Sequence, residues 1–191
     1  MDAEHTILDR VRSGDTRAFG LLIERHKDGA YTLAFRILNS REEAEETVQD
    51  AFLRVYRGLA GFRGDSRFAT WLYRIVFNLS MTRVKRRRAP AESLDAHGEE
   101  PGDVVRATEG GGVLEHLERQ EAAALLAKGL AQLPSHHRIA VELFYLQEQS
   151  YEEIATIMGI PLGTVKTYLF RGRMRLKVLL ADAVHEEERA A

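Results

Sequence analysis

The sequence predicts an all-α protein: two helical domains joined by a flexible acidic linker. Three observations predict it. Apolar residues recur every three or four positions on both sides of a central segment, with no β alternation and no internal repeat. Helix-start signals stand ahead of several of these runs. The central segment contains "AHGEEPGDVVRATEGGGV" (Ala96–Val113), where Gly, Pro and charge dominate and no period survives. A structureless loop this long inside one compact domain would be unusual, so the segment reads as a linker. The expected division is a first domain over residues 1–90, a linker over 91–118 and a second domain over 119–184. A chain of 191 residues is long enough for both cores.

The elements follow in order. Asp15 can cap a helix carrying Phe19, Leu22 and Ile23, and "YTLAFRIL" continues a second apolar face. Ser40 and Glu43 form a capping box, in which the Ser oxygen accepts from the backbone three residues on and the Glu can reach back. The helix it opens carries Ala44, Val48, Phe52, Val55 and Leu59 on one face, and glycines at 58, 61 and 64 break it. "SRFATWLYRIVFN" resumes the helix with Phe68, Leu72, Ile75 and Val76 inward. From Leu114, in the last part of the expected linker, to Leu133, Leu recurs at helical spacing, up to Pro134. Another helix runs from about Ser135 to Gln147. Ser150 and Glu153 form a second capping box, opening "YEEIATIM", which Gly159 ends. A last helix starts near Leu162 with Pro161 at its start, where a missing N–H costs little. Two helices around a tight Gly-containing turn make a helix-turn-helix.

Composition excludes several function classes. With no cysteine there are no disulfides and no Cys-zinc sites. No apolar run approaches the roughly 18 residues of a membrane span, and no signal peptide is evident, so no membrane insertion is expected and the chain suits the cytoplasm. His136 and His137 are adjacent, so they point to different helix faces and do not pair on a metal. No Gly-rich phosphate loop follows a strand, and no nucleophile motif is present. Neither catalytic residues nor a metal nor a cofactor is expected, and the chain does not read as an enzyme.

Charge is informative through its distribution. The formal net charge is -2, which argues against a uniformly basic nucleic-acid coat. Yet Arg63–Arg88 holds eight Lys/Arg against one acid, Asp65. Glu92–Glu121 reverses this, with nine acids against Arg106 and Arg119. Leu162–Leu180 is basic again, with five Lys/Arg and no acid. Two basic segments flank an acidic one.

In the last helix Val165, Leu169, Gly172, Leu176 and Leu179 share an inward face. Thr164, Lys166, Thr167, Phe170 and Arg171 are left exposed at its start. Such a set meets base edges, a methyl group and phosphates when a helix N-terminus enters a major groove. Arg173, Arg175 and Lys177 lie further along and suit phosphates. A solvated amphipathic helix with basic decoration shares this periodicity, but acid-free stretches with an exposed Phe are less common there. A lone helix-turn-helix would suggest a repressor or activator. It would not explain the second basic region.

"GDTRAFGLLIERH", "EEAEETVQDAFLRVYRGLAGFRG", "FATWLYRIVFNLSMTRVKRRR", an acidic linker and "LAQLPSHHRIAVELFYLQEQSYEEIATIMGIPLGTVKTYLFRGRMRLK" follow one another at family-like intervals. Over about residues 6–181 the chain resembles the extracytoplasmic-function sigma factors of bacterial RNA polymerase. The resemblance implies that the first domain binds the clamp helices of the largest polymerase subunit and recognises the minus-ten promoter element. The second domain then reads the minus-thirty-five element. The linker threads into the enzyme's channels, and an anti-sigma factor holds the protein inactive. By motif match, Gln49, Asp50, Phe52, Leu53 and Tyr56 fall at polymerase-binding positions; the same stripe is also consistent with a wide core face. The stretch "WLYRIVFNLSMTRVKRRR" is expected to join two helices at about Asn78-Leu79-Ser80, and in the family this junction takes a flipped base. Asn78 and Ser80 would read its edge and Leu79 pack against it, Asn78 also being suited to a helix cap. Arg74, Arg83, Arg86, Arg87 and Arg88 suit minus-ten phosphates, and Thr164, Lys166, Thr167, Phe170, Arg171 and Arg173 the minus-thirty-five element. Phe68, Trp71 and Phe77 have the spacing of core packing more than of melting wedges. Two departures are mild. Glu45-Glu46 stands where Glu-Asp is more usual, and Gly172 where Ala is frequent, which lowers helix propensity by about 1 kcal/mol.

Overall fold

The computed structural model describes residues 3–88 and 123–190, and no strand occurs among them. The chain divides into two compact units, Met1–Glu99 with Glu152–Ile160, and Glu100–Tyr151 with Pro161–Ala191. The expected linker and both of its boundaries lie outside the described residues.

The first unit contains α1 (Ala3–Arg12), α2 (Thr16–Leu38), α3 (Arg41–Gly58), a 3-10 turn (Leu59–Gly61) and α4 (Phe68–Arg88). Helix α2 packs on α1, α3 and α4, and α3 packs on α4. Asp15 caps α2 as expected, its side chain accepting from the N–H groups of Arg17 at 3.0 Å and Ala18 at 3.2 Å. The two apolar runs expected here form one helix. It stops at Asn39, whose φ of 51° is the left-handed cap that a short polar side chain tolerates. Ser40 caps α3, accepting from the Glu43 N–H at 3.4 Å. The buried face of α3 is Ala44, Thr47, Ala51, Phe52 and Val55, so Val48 sits at its margin. Three small residues in that face let the neighbouring helices approach. Helix α1 is not among the expected elements. Its buried apolar residues are Leu8 and Val11, too short a pattern to mark a period.

Helix α4 corrects an expectation. No junction breaks it at Asn78-Leu79-Ser80; it runs unbroken from Phe68 to Arg88. The physical reason is in its own inward series. Leu72, Val76, Leu79 and Ser80 keep three- and four-residue spacing straight through, and no Gly or Pro interrupts them. Phe68 and Phe77 are buried, as core spacing implied, while Trp71 is half-buried and stacked on Phe62 at 4.8 Å. Phe68 also meets the edge of Phe62 and lies 5.1 Å from His26.

Past the linker, the helix over 123–131 is α5, followed by α6 (Ser135–Tyr145), α7 (Tyr151–Met158) and α8 (Leu162–Ala190). Helix α7 groups with the first unit, where its Glu153 accepts from Thr70 Oγ1 at 2.9 Å and pairs with Arg67. Gly159, at φ 65°, follows α7. The Pro161 carbonyl accepts from the N–H groups of Thr164 and Val165 and so opens α8. In the second unit α6 lies against α8.

Candidate nucleic-acid interface

The inward face of α8 is set by Val165, Leu169, Gly172 and Leu176, all buried. That leaves Lys166, Thr167, Phe170, Arg171 and Arg173 exposed, with Thr164 half-buried. Phe170 is 61% exposed, a large apolar ring left uncovered beside three cations. Thr167 Oγ1 donates to the Gly163 carbonyl at 2.9 Å, and the residue stays exposed. Behind this face the His137 ring stands edge-on to Tyr168 at 4.9 Å. Burial, then the charges of Arg171 and His136, lower the His137 pKa below its usual 6.5. His136 also faces Tyr168, at 6.1 Å, so both histidines pack on α8, and no metal-binding cluster occurs among the described residues. Met174 and Val178 continue the exposed apolar stripe begun by Phe170 at four-residue steps. They are not among the expected contacts, since beyond its first turns the helix is expected to offer only cations to phosphates.

On α4 the outward series is Arg74, Asn78 and Thr82, one turn apart, followed by Lys85 and Arg86. Thr82 was missed; its hydroxyl donates to the Asn78 carbonyl at 2.8 Å. Asn78 is mid-helix and exposed, so its amide is available to a base edge and does not serve as a cap. Leu79 and Ser80 correct the sequence reading. Both are buried, Ser80 completely, so neither can meet a base without local unfolding.

The basic cluster divides as well. Arg86 is exposed. Arg83 turns back to α3, donating to Glu46 at 2.7 Å and Asp50 at 3.3 Å. The hydrogen bond to Glu46 chiefly raises its pKa above the usual value. Arg87 pairs with Glu43 and donates to the Leu38 carbonyl at 3.0 Å, so it joins the ends of three helices. Neither of these two is the free phosphate ligand the cluster suggested. The side chain of Arg88 lies outside the described residues.

On α3, Gln49, Asp50, Leu53 and Tyr56 are exposed, with Leu53 at 54% and Tyr56 at 47%. An exposed Leu and Tyr one turn apart, flanked by Gln and Asp, have the mixed character of a protein interface. Phe52 is a correction. It is buried, edge-on to Phe19 at 6.4 Å, so it shapes the face from beneath. Tyr56 rests on the same Phe19 ring at 5.0 Å. The second unit has a further apolar groove of about 540 Å³, lined among others by Leu126, Leu130, Tyr145, Leu146, Leu176 and Leu180. No described helix is long and apolar enough to cross a membrane.

Comparison with known proteins identifies the family. The model of sigma-70 region 2 matches residues 22–89, and that of sigma-70 region 4 matches residues 124–176. The chain is 35% identical to the RNA polymerase sigma-H factor of Pseudomonas aeruginosa, covering 97% of each protein. It is 35% identical to the ECF RNA polymerase sigma factor SigW of Bacillus subtilis, over 92% of this chain and 95% of that one. Among solved structures, CnrH in complex with the cytosolic domain of CnrY superposes with a TM-score of 0.65 at 25% identity, over 95% of this chain and 99% of that one. The chain belongs to the extracytoplasmic-function sigma factors of the sigma-70 family.

Proposed function

We propose that this sigma factor divides its work among three exposed faces. Gln49, Asp50, Leu53 and Tyr56 on α3 meet the clamp helices of core RNA polymerase. Asn78, with Arg74 and Arg86 on the same side of α4, meets the minus-ten element. Thr164, Lys166, Thr167, Phe170, Arg171 and Arg173 on α8 meet the minus-thirty-five element. The polymerase supplies the catalysis, in the cytoplasm, and an anti-sigma factor withholds the protein until it is needed.

One observation carries this reading. The start of α8 buries an aliphatic face and exposes, on the other, cations, Thr167 and an uncovered Phe, with no acid between Leu162 and Leu180. That is the chemistry of a helix that enters a major groove, where guanidinium groups meet guanine edges and apolar groups meet thymine methyls. On α3 the support is different in kind. A half-exposed aromatic and an exposed leucine suit the packed centre of a protein contact and have no use in binding phosphate.

The test is transcription by purified core polymerase from a library of randomised promoters, with the chain as the sole sigma factor. Sequence-selected initiation is expected. Leu53→Asp should abolish co-purification with core polymerase and leave the helical circular dichroism unchanged, because the side chain is already in water. Undiminished core binding by that variant would remove α3 from the polymerase face.

A further inference from the structure

Arg83 stands where two of the proposed faces meet. It belongs to α4, one turn before the exposed Arg86, yet its guanidinium turns to α3 and takes Glu46 at 2.7 Å and Asp50 at 3.3 Å. Those carboxylates are one helical turn apart, and both are more than half exposed, at 57% and 51%. Arg87, one turn on, is held differently. It donates to the backbone carbonyl of Leu38 at the end of α2 as well as pairing with Glu43. That carbonyl is among the last of its helix, which lack partners within it, so Arg87 braces the end of α2. Arg83, its own side chain 25% exposed, is held by two exposed carboxylates and by no backbone group among the described residues, and solvent around those carboxylates weakens the pairs.

We propose that Arg83 is a phosphate contact kept in reserve, released to promoter DNA when core polymerase occupies Asp50. In the free chain two carboxylates occupy this one guanidinium, so Arg83 itself adds no positive charge for an approaching phosphate, unlike the exposed Lys85 and Arg86 beside it. A cation from the polymerase that takes Asp50 leaves Arg83 with Glu46 alone. The guanidinium can then exchange that carboxylate for a phosphate, which binds a guanidinium equally well in bidentate fashion. The coupling is reciprocal: DNA that draws Arg83 away frees Asp50 for the polymerase. The inference rests on the proposed role of Asp50, but its test requires no polymerase.

The experiment measures binding of the free full-length chain to a fluorescent duplex of random sequence, over a range of salt. Glu46→Gln with Asp50→Asn removes both anions and mimics their capture. Binding should tighten, and the slope of log K against log salt should steepen by about one phosphate contact. Lost acidic charge could also tighten binding on its own, so the pair is repeated with Arg83→Gln. If Arg83 is the released contact, the added slope disappears in the triple variant. An unchanged slope in the pair, or a gain that survives Arg83→Gln, overturns the proposal. A separate arm asks whether the wild-type chain co-purifies with core polymerase. Its failure would count against the polymerase reading, while the duplex measurement would still decide whether Arg83 is held in reserve.

Discussion

A Cβ added to Gly172 of α8 would stand 2.6 Å from Val141 Cγ2 of α6. No other described glycine is approached so closely, and the approach falls on a branched side chain with little freedom to move. Glycine in mid-helix therefore has a packing reason that propensity alone hides. Gly172→Ala should gain about 1 kcal/mol of helix propensity but lose about 1–3 kcal/mol to overpacking. The net expectation is a lower melting temperature. Val141→Ala should relieve it, so the double variant should be more stable than the two single effects predict. Thermal melts of the three variants decide it; a rise in melting temperature for Gly172→Ala alone would show that α6 yields without strain.

Arg86 and Arg87 are neighbours in sequence with different tasks. Arg86 is exposed, so Arg86→Ala should leave stability within about 0.5 kcal/mol and reduce the salt slope of DNA binding by about one. Arg87→Ala removes the donor to the Leu38 carbonyl and the partner of Glu43. It should cost about 1 kcal/mol of stability and change the salt slope less. Equal salt slopes with equal melting temperatures would show that the ion pairs of α4 do not sort its arginines.

That division marks where the sequence ceased to be legible. Periodicity and caps placed the long helices, because burial repeats every three or four residues and Asp15 and Ser40 announce their helix starts. The same periodicity put Val165 and Leu169 inward and Lys166 and Arg171 outward. It could not show that Arg83 meets Glu46, 37 positions earlier, since such pairs depend on how two helices cross. Ser80 failed for another reason. Its polarity suggested solvent, but a small hydroxyl fits a close helix contact, and the spacing from Leu72 and Val76 overrides its chemistry. Phe52 bears on both readings, since its position on the helix fixes burial and its neighbours Leu53 and Tyr56 remain outside.

His26 carries a pH expectation. Burial lowers its pKa below 6.5, and Arg25 adds to this, while Glu4, with its carboxylate 3.7 Å from Nε2, opposes them. The folded chain thus takes up the proton at lower pH than the unfolded chain does. Its contribution is fully present above the unfolded pKa and declines as pH falls below about 6.5 toward the lower folded value. His137 acts in the same direction, since its pKa is also lowered. The melting temperature should fall between pH 7.5 and 5.5, and His26→Phe, which keeps a ring beside Phe68, should reduce that fall. An identical pH dependence in the variant would assign the effect elsewhere.

The last prediction concerns the reading helix. Arg171 lies in the exposed start of α8, one turn beyond Thr167, while Lys177 is further along the same helix. A helix that enters a major groove by its first turns reads bases there and meets only phosphates beyond. Arg171→Ala should therefore cost about 1–3 kcal/mol on the preferred minus-thirty-five element and relax preference at one or two positions. Lys177→Ala should cost less and act evenly on all sequences. Val165→Asp controls for folding, because it places an unpaired charge at a fully buried position and should unfold the unit without any selective change in preference. Transcription from a randomised minus-thirty-five library with each variant separates these outcomes. If Arg171→Ala kept both the wild-type preference and the promoter strength, α8 would be a phosphate-binding helix and the reading face would lie elsewhere.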